Sequence, residues 1–121
     1  MRVARLWSHV ESGVPVLDPS LGVAGEETPK AEMLRFLEGG SVVLGAPGRT
    51  EDWLSPEHPA VVPVGFRTDG RWLWSVELAF YLREHGVTPE PDFIEHMTQT
   101  QFVAPLPSRA DVLAAEELLR A

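Results

Sequence analysis

The chain contains no cysteine. A disulfide framework, a thiol nucleophile and a cysteine-based zinc site are therefore excluded. Long apolar runs are also missing. No stretch approaches the ~20 residues that span a bilayer, and Met1 to His9 lacks a signal-peptide core. The expectation is a soluble, cytoplasmic protein with no membrane partner. Positive charge is scarce: ten basic residues stand against eighteen acidic ones, for a net charge of −8. Nucleic-acid affinity comes largely from neutralised phosphates, so DNA and RNA are discounted as partners. A basic protein partner fits the sign better, because opposite charge speeds encounter and disfavours wrong partners.

Catalytic signatures are equally sparse. There is no His-Glu-x-x-His, no Gly-x-Ser-x-Gly elbow, no P-loop and no dinucleotide fingerprint. Gly39, Gly40, Gly45 and Gly48 flank a strand and read as a helix stop and a turn. Asp92 and His96 stand four apart on a predicted helix and share a face, but two ligands do not make a metal site. Ser8 and His9 are adjacent in a predicted strand and should point to opposite faces. His85, at a predicted helix C-terminus, is explained by the helix dipole. No catalytic residue, metal ligand or cofactor is assigned.

What the chain does contain is a strong hairpin signal. Asp69-Gly70 sits between Val64-Gly65-Phe66-Arg67-Thr68 and Arg71-Trp72-Leu73-Trp74. Asp-Gly favours a two-residue type I′ turn, since both central positions need positive φ. With that turn, Arg67 pairs with Trp72, Phe66 with Leu73 and Gly65 with Trp74. Trp72 and Trp74 then share one face beside Arg67, with Gly65 leaving room for the Trp74 indole and Arg67 over Trp72 as a cation–π pair. Arg67, Trp72 and Trp74 are a candidate aromatic platform. The alternative is a sheet packed on both faces, the default use of tryptophan.

Helices are predicted on both sides of this hairpin. Thr28 caps the first, Pro29 opens it, Met33, Leu34, Phe36 and Leu37 form its apolar arc, and Gly39-Gly40 end it. Ser75 caps a central apolar helix, Val76 to His85, and Gly86 stops it. A third helix after Thr88-Pro89-Glu90-Pro91 turns Phe93, Ile94 and Met97 inward and Glu90, Asp92 and Glu95 outward. Ser108 caps a fourth with Asp111 at capping-box spacing; Val112, Ala115, Leu118 and Leu119 are its packing stripe.

Strands are expected over Val3–Val10, Val14–Leu17, a short buried Ser41–Leu44, and Val61–Arg67. Pro15 and Pro63 mark edges or bulges. Gly45 to Pro59 reads as loop. It joins the acids Glu51, Asp52 and Glu57 to Trp53-Leu54. Acids around a tryptophan have the composition of an interface, so Glu51, Asp52, Trp53 and Glu57 are the candidate partner-binding residues. The plain alternative is that Trp53-Leu54 tucks the loop onto the core.

Strands and helices do not alternate in a βαβ rhythm. The fold class is therefore α+β: a small antiparallel sheet containing the Asp-Gly hairpin, packed by roughly four short helices. At 121 residues the chain is one domain, residues 1–121.

The segments Leu34–Leu44, Val62–Trp74 and Tyr81–Pro89 resemble a group of small actinobacterial proteins of uncharacterised function. The pattern Phe-Arg-Thr-Asp-Gly-x-Trp-x-Trp followed by Tyr-Leu-x-Glu-His-Gly carries the likeness, over roughly residues 30 to 97. Nine of the ten basic residues are arginine, a bias that resembles high-GC bacterial genomes. Small acidic domains of this kind resemble immunity proteins of polymorphic toxin systems. That resemblance implies a non-catalytic, protein-binding role: occluding the active site of a cognate toxin. The alternatives are a small enzyme or ligand-binding domain with a pocket near Trp72 and Trp74, and a homo-oligomer joined along edges near Pro15 or Pro63.

Overall fold

The structure, a computed structural model, describes residues 1–121 apart from the side chain of Ala46. Its elements run β1 (Arg2–Val3), β2 (Trp7–Glu11), β3 (Val14–Leu17), β4 (Gly22–Val23), α1 (Lys30–Gly39), β5 (Ser41–Glu51), β6 (Ala60–Thr68), β7 (Trp72–Ser75), α2 (Glu77–His85), β8 (Val87–Thr88), α3 (Pro91–Gln99) and α4 (Arg109–Arg120). The main sheet has the order β1-β7-β6-β5. Two-stranded pairs β2-β3 and β4-β8 stand beside it. The class is α+β. One pairing is not antiparallel: β1 runs parallel to β7, placing Arg2 opposite Trp72.

The hairpin forms one position later than Asp-Gly chemistry predicts. Arg67 pairs with Trp74 and Thr68 with Leu73. The turn is therefore centred on Gly70-Arg71, with Gly70 at positive φ (+96°). Asp69 serves as a ladder residue whose carboxylate accepts the Arg71 and Trp72 amides, each at 2.9 Å. Moving the turn by one position moves each cross-strand partner by two. Trp72 and Trp74 consequently keep the face they were assigned.

Two contacts change with this register. Gly40, not Gly65, makes room for Trp74: a Cβ there would lie 2.5 Å from Trp74 Cζ2. Arg2, not Arg67, stacks on Trp72, 4.4 Å from the ring centre. Arg67 instead donates to the Gly40 carbonyl at 2.6 Å, and Trp74 Nε1 donates to the Leu37 carbonyl at 3.0 Å. Helix α1 has no basic residue in its last turn. The sheet thus supplies donors to carbonyls that a helix C-terminus leaves orphaned.

Trp74, Phe36 and Phe93 are fully buried and meet with ring centres 5.4–5.8 Å apart. Trp72 stacks on Phe93 at 4.7 Å. Burying each such ring contributes about 1.5–3 kcal/mol. Leu78, Tyr81 and Leu82 of α2 complete the core against α1 and β6.

Several expected boundaries shift. The N-terminal strand divides into β1 and β2, so that β1 can join the main sheet. The Ser41–Leu44 strand extends to Glu51 through register shifts, and Val42 and Leu44 are exposed rather than buried. Pro63 stands as expected: it adjoins the bulge of the β5–β6 ladder, in the part of β6 that β7 does not reach and where β6 is locally an edge. Pro29, not Thr28, occupies the α1 N-cap, and the Thr28 hydroxyl accepts from Gly25 N. Val76 takes the N-cap of α2, although Ser75 Oγ still accepts the Glu77 amide. Glu90 points inward: it is buried, accepts the Arg5 amide at 2.7 Å and pairs with Arg2. Leu118 is exposed while Ala115 packs.

Candidate functional site

The segment between β5 and β6 is built around Asp52. Its side chain is buried, although the residues on either side reach the surface. His85 Nε2 lies 2.8 Å from Oδ2 and 3.0 Å from Oδ1. Ser55 Oγ donates at 2.8 Å and Leu54 N at 3.1 Å. The ionised carboxylate only accepts, so the Nε2 atom carries the hydrogen. Burial draws the Asp52 carboxyl upward, but the bonds from His85, Ser55 and Leu54 together outweigh it and hold the group below its ordinary value.

Tyr81 ties down the same segment from the core side. Its hydroxyl accepts the Trp53 amide at 3.2 Å and donates to the Glu51 carbonyl at 3.4 Å. Burial, chiefly, pushes the phenol to about 12, with Glu77 and Asp52 adding to the rise, so it stays protonated and able to donate. Helix α2 supplies both anchors, Tyr81 and His85, one turn apart on a face turned to the loop.

The outer side of this segment is acidic and apolar together. Glu51, Glu57 and Glu84 are exposed, Leu54 is exposed, and Trp53 is half-buried with its ring 4.9 Å from that of His58. Glu57 and His58 both adopt positive φ, at 64° and 47°. The sharp bend they make presents Glu57 outward.

The sequence-predicted residues therefore separate. Glu51 and Glu57 are exposed and Trp53 is half-buried along the surface of the 51–59 segment. Asp52 lies beneath it, which corrects the reading of Asp52 as a surface contact and of the acids as a uniformly exposed loop. Arg67, Trp72 and Trp74 do share a face, but both indoles are buried and Arg67 faces the end of α1, so they present no open platform. Trp74 is fully inaccessible. Trp72 borders two shallow hollows, one with Arg2, Asp92, Glu95 and His96 and one with Met1, Arg2, Arg71 and His96.

Three pairings had no sequence signal of their own. The Asp52–His85 contact spans 33 positions and Asp69–His96 spans 27, the latter at 2.5 Å. The adjacent Glu84-His85 and Glu95-His96 pairs drew attention to the wrong acids. Asp92, weighed as a metal ligand with His96, pairs with Arg2 instead. Among the described residues no group of three or more potential ligands converges on one point. The third pairing is Ser8 with His9, whose Oγ and Nδ1 lie 2.7 Å apart, while His9 Nε2 meets Glu11 at 2.8 Å. A register shift between Trp7 and His9 bulges the strand and brings neighbouring side chains to one side, against the alternation expected of a regular strand. This chain of contacts is exposed to solvent.

No protein-family model matches the chain, and neither the curated proteins nor the solved structures provide a match.

Proposed function

We propose that the chain is a non-catalytic, acidic protein-binding domain of the immunity type. It acts in the cytoplasm by covering the active site of a cognate toxin with the surface of residues 51–59. The observation that carries this reading is the internal staple at Asp52. A loop fastened by His85, Ser55 and Tyr81 is ordered before any partner arrives. Preorganisation removes much of the ordering cost of association, which otherwise reaches about 0.5–1.5 kcal/mol per immobilised side chain.

Composition supports the same face. Trp53 and Leu54 supply an apolar centre, and Glu51, Glu57 and Glu84 a charged rim. Tryptophan is favoured at the centres of interfaces, and charge at the rim governs encounter rate and partner choice. With a net charge of −8, the partner expected is basic. Its binding should weaken as salt screens the rim.

The pocket alternative near Trp72 and Trp74 has less to stand on, because Trp74 has no accessible atom to offer. The test is capture of partners from the native cytoplasm on the tagged chain at low and high salt. One basic protein, retained in stoichiometric amount and weakened by salt, is the expected result. Its purified form should show a toxic activity that the chain suppresses. No stoichiometric partner at either salt concentration would contradict the proposal.

A further inference from the structure

The strongest local departure from the acidic character of this molecule is a groove along the β5–β6 ladder. It runs between the β5–β6 ladder and the ends of α1 and α2, with a volume of about 460 Å³. Its walls are apolar: Val42, Leu44, Val61, Phe66, Val76 and Phe80. Val42, Leu44 and Val61 stay 48–56% exposed, an open apolar surface that a folded chain ordinarily covers.

The floor arises from backbone chemistry. Gly45 pairs with Gly65 across the ladder, and the register shifts immediately afterwards. Two residues without side chains leave a trough where a regular sheet would carry a filled pair. Gly65 is obligatory there, with φ +137° and a Cβ that would meet Leu44 O at 2.6 Å. Gly45 is not: a Cβ at that position would touch only Val42 Cγ1, at 3.5 Å. The trough is therefore open at Gly45 without the fold requiring it.

Three guanidinium groups, Arg49, Arg67 and Arg83, and a single acid, Glu38, line this groove. Arg83 and Glu38 pair with each other. Among the described residues neither Arg49 nor Arg67 has a carboxylate within ion-pair distance, and each bonds only a backbone carbonyl. Arg67 is also half-buried. The Gly40 carbonyl at the end of α1 occupies Nη1 of Arg67, and no carboxylate pairs with the rest of its guanidinium fork.

We infer that this groove binds a small amphiphilic monocarboxylate, its head on Arg67 with Arg49 at the mouth and its apolar tail along Val42, Leu44 and Phe80. A carboxylate matches the planar donor fork of arginine. The volume lies within the range of small-ligand sites, and the mixture of apolar walls with a few polar groups is their usual composition. Glu51, Trp53 and Glu57 do not line the groove, and because Val61 and Phe80 also border the hollow at Asp52 and His85, its occupancy is read independently of partner binding at Val42, Leu44 and Gly45.

The test is a titration of the intact chain with octanoate below its micellar concentration, followed by amide resonances, with octanol as the uncharged comparison. Octanoate should bind saturably and shift Val42, Leu44, Gly45 and Phe80. Octanol should bind about tenfold more weakly or worse, the factor expected for losing one charge-assisted contact. Gly45→Leu should fill the trough and abolish binding while circular dichroism and the urea midpoint show a folded protein. Arg67→Met should bring octanoate down to the level of octanol. No saturable shift, shifts confined elsewhere, or octanol binding as tightly as octanoate would overturn the inference. Undiminished binding to Gly45→Leu would do the same, and that arm stands even if Arg67→Met fails to fold.

Discussion

At Asp52, one buried carboxylate receives hydrogen bonds from an imidazole, a hydroxyl and an amide. Its folded-state titration lies below its ordinary value, so the stabilisation is present at neutral pH and is lost as pH falls through the folded value. Asp52→Ala should therefore lower stability by about 1–3 kcal/mol at pH 7, the cost of losing the charged acceptor that His85, Ser55 and Leu54 share. Urea titrations should find that deficit shrinking in strong acid. Glu77 has the opposite sign. Burial raises its carboxyl above the ordinary value against the opposing bond from Ser75, so ionisation costs stability as pH rises past that value. Glu77→Gln should be neutral or slightly stabilising at pH 7 in the same assay. The glycines separate in the same manner. Gly40→Ala would drive a Cβ into the Trp74 ring and Arg67 Cβ, and should cost about 1–3 kcal/mol by overpacking. Gly45→Ala, with only ordinary contact, should leave the urea midpoint nearly unchanged.

Elements differ in how much their own sequence determines. Helix α4 is the plainest case. Ser108 Oγ accepts the Asp111 amide and Asp111 Oδ2 accepts the Ser108 amide, both at 3.1 Å, as the spacing predicts. Ser108→Ala should cost about 1 kcal/mol, read from thermal or urea unfolding. The end of α2 was legible too, because Gly86 takes the left-handed conformation (φ 68°) that stops a helix. The hairpin was legible in existence and face, not in register. Local turn chemistry favours Asp69-Gly70, but Asp69 is claimed by His96 from α3, a contact no local rule contains. Gly70 is also pressed against Asp111 of α4, where a Cβ would meet Oδ2 at 2.7 Å. Strand β5 was misjudged for a related reason. Its Gly and Pro residues read as loop, yet β6 supplies a bulged partner ladder that accommodates them. The same remoteness hid the Asp52 staple: its surface neighbours were readable from composition, while His85 reaches it only through the packing of α2.

For the whole molecule, the α+β class followed from the absence of a βαβ rhythm. The parallel β1–β7 pairing did not, since only the closed fold brings residue 2 beside residue 72. Among the described residues no helix is long and apolar enough to cross a membrane. Charge is distributed unevenly: Glu51, Glu57 and Glu84 stand exposed about the 51–59 segment, while the groove along the β5–β6 ladder gathers Arg49, Arg67 and Arg83. The two faces should therefore respond to different ligands. The most direct test of the account is calorimetric titration of the captured partner against the native chain and a variant combining Glu51→Ala, Trp53→Ala and Glu57→Ala, with Asp52 left in place. Truncating a tryptophan anchor together with its acidic rim should weaken binding by about a hundredfold or more, while the variant keeps its folded spectrum. An affinity equal to that of the native chain would mean that the partner binds elsewhere and that the 51–59 surface has been misassigned.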